Sequence, residues 1–132
     1  MIHPENNLCI HFTDRKHPGH TAEFDFSDFH NTRLSELGIE YLKSKYAKGV
    51  SLEYLCVNAT SFRRYDEFLL LSGIVDPLAV TDELLDAYEA FLSTKIIPKT
   101  GQPFTEKYIR FLLTGPRKII KTCTSNAHAE DL

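Results

Sequence analysis

"FTEKYIRFLLTGPRKIIKTC", residues 104–123, decides how this chain is read. Placed on a helical wheel, Lys107, Arg110, Thr114, Arg117, Lys118 and Lys121 fall within an arc of about 100°, with Tyr108, Ile109, Leu112, Leu113, Ile119 and Ile120 opposite them. So complete a segregation describes one amphipathic helix only if its phase survives Gly115-Pro116. Proline lacks an amide donor and its ring crowds the carbonyl four residues back, that of Leu112, so the spacing predicts a kink, or a break with Pro116 restarting the second half.

Working outward, "IIPKTGQP" (96–103) is a loop by its two prolines and glycine. Before it, Thr81 is a ready N-cap, Asp82 and Glu83 suit the positive end of a helix dipole, and Leu84, Leu85, Tyr88, Phe91 and Leu92 make one stripe, so a helix should run to about Lys95. A further helix is expected to start at a cap on Asn58 or Thr60 and to reach about Ser72, with Phe62, Tyr65, Phe68 and Leu69 inward and Gly73 as its breaker. "VSLEYLCV" (50–57) fits a short helical turn or a strand equally well. From Thr32 to Tyr46 the positions Leu34, Leu37, Tyr41 and Leu42 recur at helical spacing, and Lys48-Gly49 supplies the stop.

Residues 1–30 hold five of the six histidines, two prolines and no sustained periodicity, and are expected to form an extended arm, mobile at its very start. Within it "AEFDFSDF" alternates Phe24, Phe26 and Phe29 with acids. A strand there would have no second strand to pair with, so the expectation is an extended strap docked on a helical body. The architecture is therefore all-α: an arm over 1–30, a four-helix domain over 31–123 and a tail over 124–132.

The length of 132 residues suits one domain, and 42% hydrophobic with 25% charged residues is the composition of a globular protein. No apolar run approaches the roughly 18 residues of a membrane span, and the N-terminus lacks the basic and apolar regions of a secretory signal. Cys9, Cys56 and Cys123 are odd in number and far apart, which suits free thiols in a reducing cytoplasm. The net charge of −3 conceals polarity: Asp76–Ser93 has five acids and no lysine or arginine, whereas Thr94–Cys123 has seven basic residues and one acid, Glu106. A local surplus of this kind acts within about a Debye length, roughly 8 Å. One sign dominates the stripe where solvated faces usually mix both, which favours a phosphate-binding face. Arg63 and Arg64 add a second cluster, with surface ion pairs to Glu67 or other acids as their plainer role.

The segments "TSFRRYDEFL" (60–69), "VTDELLDAYEAFL" (80–92) and "FTEKYIRFLLTGPRKIIK" (104–121) resemble the second, third and fourth helices of the N-terminal SAM-like, or core-binding, domain of tyrosine recombinases, the phage-integrase family. "DFSDFHNTRL" (25–34) is similar to the lead-in of some phage-type members, and the likeness spans about Asp25 to Lys121. The resemblance implies a four-helix unit that clamps duplex DNA through its second and fourth helices, here Arg63, Arg64, Lys107, Arg110, Arg117, Lys118 and Lys121, and that self-associates within a recombinase assembly. Gly115-Pro116 departs from the family pattern, whose helix usually runs on.

The family's catalytic residues belong to a separate C-terminal domain, so this chain is expected to be non-catalytic and without a cofactor. "HNTR" (30–33) has a suggestive spacing but no following nucleophile segment, and Tyr65, Tyr88 and Tyr108 read as core. Cys9-x-His11 and His17-x-x-His20 could together supply four zinc ligands; polar residues of a flexible arm are the preferred reading. The rival to DNA binding is a helical protein-interaction module using the acidic third helix or the "FDFSDF" strap.

Overall fold

A computed structural model describes residues 8–130, with side chains over 8–123. Two strands, β1 (Cys9–Thr13) and β2 (Thr21–Asp25), precede four helices: α1 (Thr32–Ala47), α2 (Leu52–Ser72), α3 (Asp82–Ser93) and α4 (Glu106–Glu130). The chain is predominantly helical, but the all-α expectation needs correction, because the strap is one strand of an antiparallel hairpin. "CIHFT" pairs with "TAEFD" in the register Cys9↔Asp25, His11↔Glu23, Thr13↔Thr21. The missing partner was hidden among the arm's histidines: β1 alternates Ile10 and Phe12, both buried, with Cys9, His11 and Thr13, and so has one apolar face. The mobility expected of the first few residues lies outside the described residues.

Side-chain caps start the helices. Asn31, Ser51 and Thr81 each accept a hydrogen bond from the backbone N–H three residues on, at 2.9, 3.1 and 3.0 Å. Thr105 does the same for Tyr108 at the head of α4, at 3.1 Å. The cap at Ser51 lies seven residues ahead of Asn58, so "LEYLCV" is helix and Asn58 is an interior residue. At the far end Gly73 takes the left-handed conformation, φ 68°, and its N–H reaches Leu69 and Leu70 carbonyls, as its position after the last apolar residue predicts.

Around α2 the other elements assemble: α1, α3, α4 and β2 all touch it. Leu34, Leu42, Leu55, Phe62, Tyr65, Leu69, Tyr88, Leu92, Leu112 and Ile119 are essentially inaccessible and form the centre of the core. Tyr65 donates to the Pro77 carbonyl at 2.8 Å, and burial drives the phenols of Tyr65 and Tyr88 upward from their ordinary pKa. Phe26 closes the hairpin end of the core against Gly38, where a Cβ would lie 2.9 Å from its ring.

Of the kink or break expected at Gly115-Pro116, no break occurs: α4 runs through both residues and on into the stretch expected as a tail. The reason is tertiary. Both residues are buried, so the ring adds apolar surface to the core, while the bare Gly115 Cα lets α4 approach α2 closely. A Cβ on Gly115 would stand 2.7 Å from Ser61 Oγ, a buried hydroxyl with no hydrogen-bond partner among the described residues.

Asp66, 4% exposed on α2, accepts from the backbone N–H groups of His30 (3.0 Å) and Asn31 (2.8 Å). Its carboxylate thus satisfies the amides leading into α1, and the Asn31 side chain adds a bond to the Val75 carbonyl at 2.7 Å. "HNTR" is therefore a helix entry, with Arg33 reaching Cys123 Sγ at 3.5 Å.

Gly115→Ala should lower stability by about 1–2 kcal/mol despite alanine's better helix propensity, and Ser61→Ala in the same chain should restore it, because the crowding atom is then gone. Urea unfolding of both single variants and the double measures that cycle. Asp66→Asn, which sets an amide donor against one of the two N–H groups and removes the negative charge, should cost about 2 kcal/mol by the same measurement.

Candidate nucleic-acid interface

The basic stripe of α4 has two edges, and tertiary packing treats them differently. On one edge, Arg110 and Arg117 line a cleft of about 340 Å³ whose opposite wall is Asp82, Asp86 and Glu89 of α3. Arg110 also pairs with Glu106 one turn before it. Cation and anion rows face one another here, so the field this edge presents to solvent is partly neutralised.

On the other edge Lys118 and Lys121 meet Lys45 and Lys48, contributed by the C-terminal end of α1. The four lysines border a groove of about 470 Å³ that also receives Tyr41, Tyr54, Ser44 and Thr122, with Glu40 as its one acid. Lys45 and Lys48 were not singled out in the sequence, because α1 as a whole mixes both signs and gives no one-sided stripe. The signal that could have found them is their place at the C-terminal end of a helix, Lys45 in its last turn and Lys48 as its C-cap, where cations complement the dipole.

Lys118 is the best-positioned member. Its ammonium donates to Asn58 Oδ1 at 2.6 Å and lies 4.6 Å from the Phe111 ring centroid. Asn58 is wholly buried, and its Nδ2 donates to the Tyr54 carbonyl at 2.9 Å, so the oxygen is aimed outward at the lysine. Partial burial lowers the Lys118 pKa from the usual lysine value, the neighbouring Lys45 lowering it further and Tyr54 opposing. Beside it the Tyr41 and Tyr54 hydroxyls are 2.7 Å apart; burial foremost, then this bond, raises the Tyr41 phenol. Lys45 sits 5.5 Å from the Tyr41 ring centroid.

Arg63 and Arg64 lie elsewhere and are engaged within the chain. Arg63 pairs with Asp28 at 2.6 Å, donates to the Asp25 carbonyl at 2.9 Å and stands 5.2 Å from the Phe29 ring centroid, so it straps the hairpin exit to α2. Arg64 lies 3.7 Å from Glu67 and 5.5 Å from the Phe104 ring centroid, while Lys95 shares the same Glu67. Lys107 and Lys121 are exposed. The residues expected from the sequence, Arg63, Arg64, Lys107, Arg110, Arg117, Lys118 and Lys121, are thus distributed over several surfaces, and among them Lys118 and Lys121 join a cluster of like charge.

The four cysteine and histidine side chains that could have shared one zinc ion are divided between the strands and the turn. Cys9 and His11 group with Glu23, and His17 and His20 with Asp14. The three cysteines are free thiols. Among the described residues no helix is long and apolar enough to cross a membrane. Comparison with family models, with curated proteins and with solved structures finds no match.

Asn58→Ala should destabilise the fold by about 1–2 kcal/mol, since it removes a bond to a charged donor. Combined with Lys118→Met it should cost less than the sum of the two single changes, as measured by urea unfolding, because both act on one bond.

Proposed function

We propose that this chain is a non-catalytic DNA-binding module of the recombinase or integrase kind, with a SAM-like core-binding architecture, and that it holds the duplex backbone along the α1–α4 groove. The observation that carries the reading is the convergence of Lys45, Lys48, Lys118 and Lys121 on one concave surface that also offers hydroxyl groups. Lysines supply the sequence-independent part of binding by releasing counterions, and tyrosine, serine and threonine hydroxyls donate to phosphate oxygens. Resemblance of the 60–69, 80–92 and 104–121 segments to the recombinase family supports the same reading. The proposal keeps α4 as a DNA-facing helix and replaces the α2 arginines by the α1 lysines, since Arg63 already holds the hairpin exit and Arg64 lies against Glu67 and the Phe104 ring.

A protein partner is the second reading, and one observation favours it. Leu70, Leu71 and Val75, around the C-terminal end of α2, are 52%, 68% and 85% exposed. Such a patch would suit self-association within a recombinase assembly. The "FDFSDF" strap is less suited to that role, because Phe26 is buried and Phe24 and Phe29 pack against the core.

Titration of a fluorescent duplex of arbitrary sequence at several salt concentrations tests the DNA reading. With four lysines engaged, the logarithm of affinity should fall with the logarithm of salt at a slope near about −4. Lys45→Glu with Lys121→Glu should weaken binding by more than about tenfold and flatten the slope by about 2. A slope near zero in the unaltered protein would remove the reading.

A further inference from the structure

The outward face of the hairpin gathers a soft ligand, an imidazole and a carboxylate at one place. Because β1 places Ile10 and Phe12 against the core, Cys9, His11 and Thr13 face away from it. The antiparallel register sets Asp25 opposite Cys9 and Glu23 opposite His11. Two anionic side chains therefore share a face with a thiol and an imidazole. The Cys9 thiol donates to Glu23 Oε1 at 3.0 Å, and one ligand atom from each of Cys9, His11 and Glu23 lies within 4.8 Å of the others. Ligand atoms around a tetrahedral zinc ion stand roughly 3.3–3.6 Å apart, given its usual bond lengths, so closing the site requires only side-chain rotation. The strand ladder already holds the three Cβ atoms in place.

We propose that Cys9, His11 and Glu23 form a three-ligand site for a thiophilic divalent cation of the zinc class, with water in the fourth position. The ion clips β1 to β2. Binding exchanges the proton shared by Cys9 Sγ and Glu23 Oε1 for the metal: the S–H bond breaks, the thiolate lone pair forms the metal–sulfur bond, and the proton leaves to solvent. Nothing is oxidised or reduced. Glu23, bonded to the Cys9 thiol, and Asp25, opposite Cys9 in the register, supply the negative charge that a divalent cation neutralises on binding. A clip suits the location, since a two-stranded hairpin is marginal by itself and this one leans on the helices along one face only.

Asp14, His17 and His20, in the turn between the strands, also bring ligand atoms within 4.8 Å. They are the weaker candidate. Asp14 Oδ1 is occupied by the backbone N–H groups of Lys16 (2.9 Å) and His17 (3.3 Å), no thiolate is available, and Arg15 and Lys16 add positive charge to the loop.

The test uses the full chain, freed of metal and kept reduced by a phosphine, titrated with cobalt(II) and then with zinc(II). Cobalt should produce a thiolate-to-metal charge-transfer band at one equivalent, and zinc should bleach it. Cys9→Ser should abolish the band, whereas Cys56→Ser and Cys123→Ser should leave it. Glu23→Gln and His11→Ala, both on the exposed face, should each weaken zinc binding about tenfold or more while leaving circular dichroism unchanged. Zinc should also slow hydrogen exchange of the β1 and β2 amides. The proposal is overturned if no band appears, if the band survives Cys9→Ser, or if it is lost with Cys56→Ser or Cys123→Ser. It is equally overturned if zinc binding is insensitive to Glu23→Gln and His11→Ala but lost with His17→Ala. The outcome is independent of DNA binding, which none of these measurements reads.

Discussion

The close crossing of α4 over α2 at Gly115 and Ser61 is the constraint on which the remaining packing depends. With only a hydrogen on Gly115, α4 comes within contact of Ser61, and that proximity carries Leu112 and Ile119 fully into the core. It also sets the phase of α4 and so decides which basic residues turn toward α1 and which toward α3. A helix containing proline normally loses stability through the missing amide and the crowded carbonyl. Here the buried ring and the close crossing offset that loss, and the helix continues.

From α2 a set of polar links extends to each neighbour in turn. Asn58 holds Lys118 of α4, Arg63 holds Asp28 and Asp25 at the hairpin exit, Glu67 holds Lys95 after α3, and Asp66 holds the entry to α1. Each link has a different energetic character. Asp66 and Asn58 are buried, so leaving their partners unpaired is costly; Arg63 and Asp28 are half-exposed or more, and their pair is screened by solvent. The two buried links fix how α1 and α4 sit against α2, and the lysine groove lies between those two helices.

Much of the helical frame was legible. The stripes of α1 and α3, the cap at Thr81 and the stop at Gly73 all follow from side-chain spacing and terminal chemistry, and the structure places them as read. The start of α2 was not legible, because Asn58 and Thr60 are good caps in isolation and nothing local marks Ser51 as the better one. The hairpin was missed for a related reason: "CIHFT" is too short to announce itself, and strand pairing is a property of two segments, never of one. Asp66 gave no sign of its role, since its partners lie 35 and 36 residues away.

By itself the sequence determined that this chain would be largely helical, that acids and bases would separate along it, and that residues 104–121 would carry a cationic stripe. These are consequences of periodicity and composition, which local physics reads directly. Tertiary structure alone decided that the stripe divides, its Arg110–Arg117 edge set against the acids of α3 and its Lys118–Lys121 edge joined to the lysines of α1. Electrostatic surroundings depend on which helices become neighbours, and that is fixed by a glycine's missing side chain and by buried hydrogen bonds between residues distant in the chain.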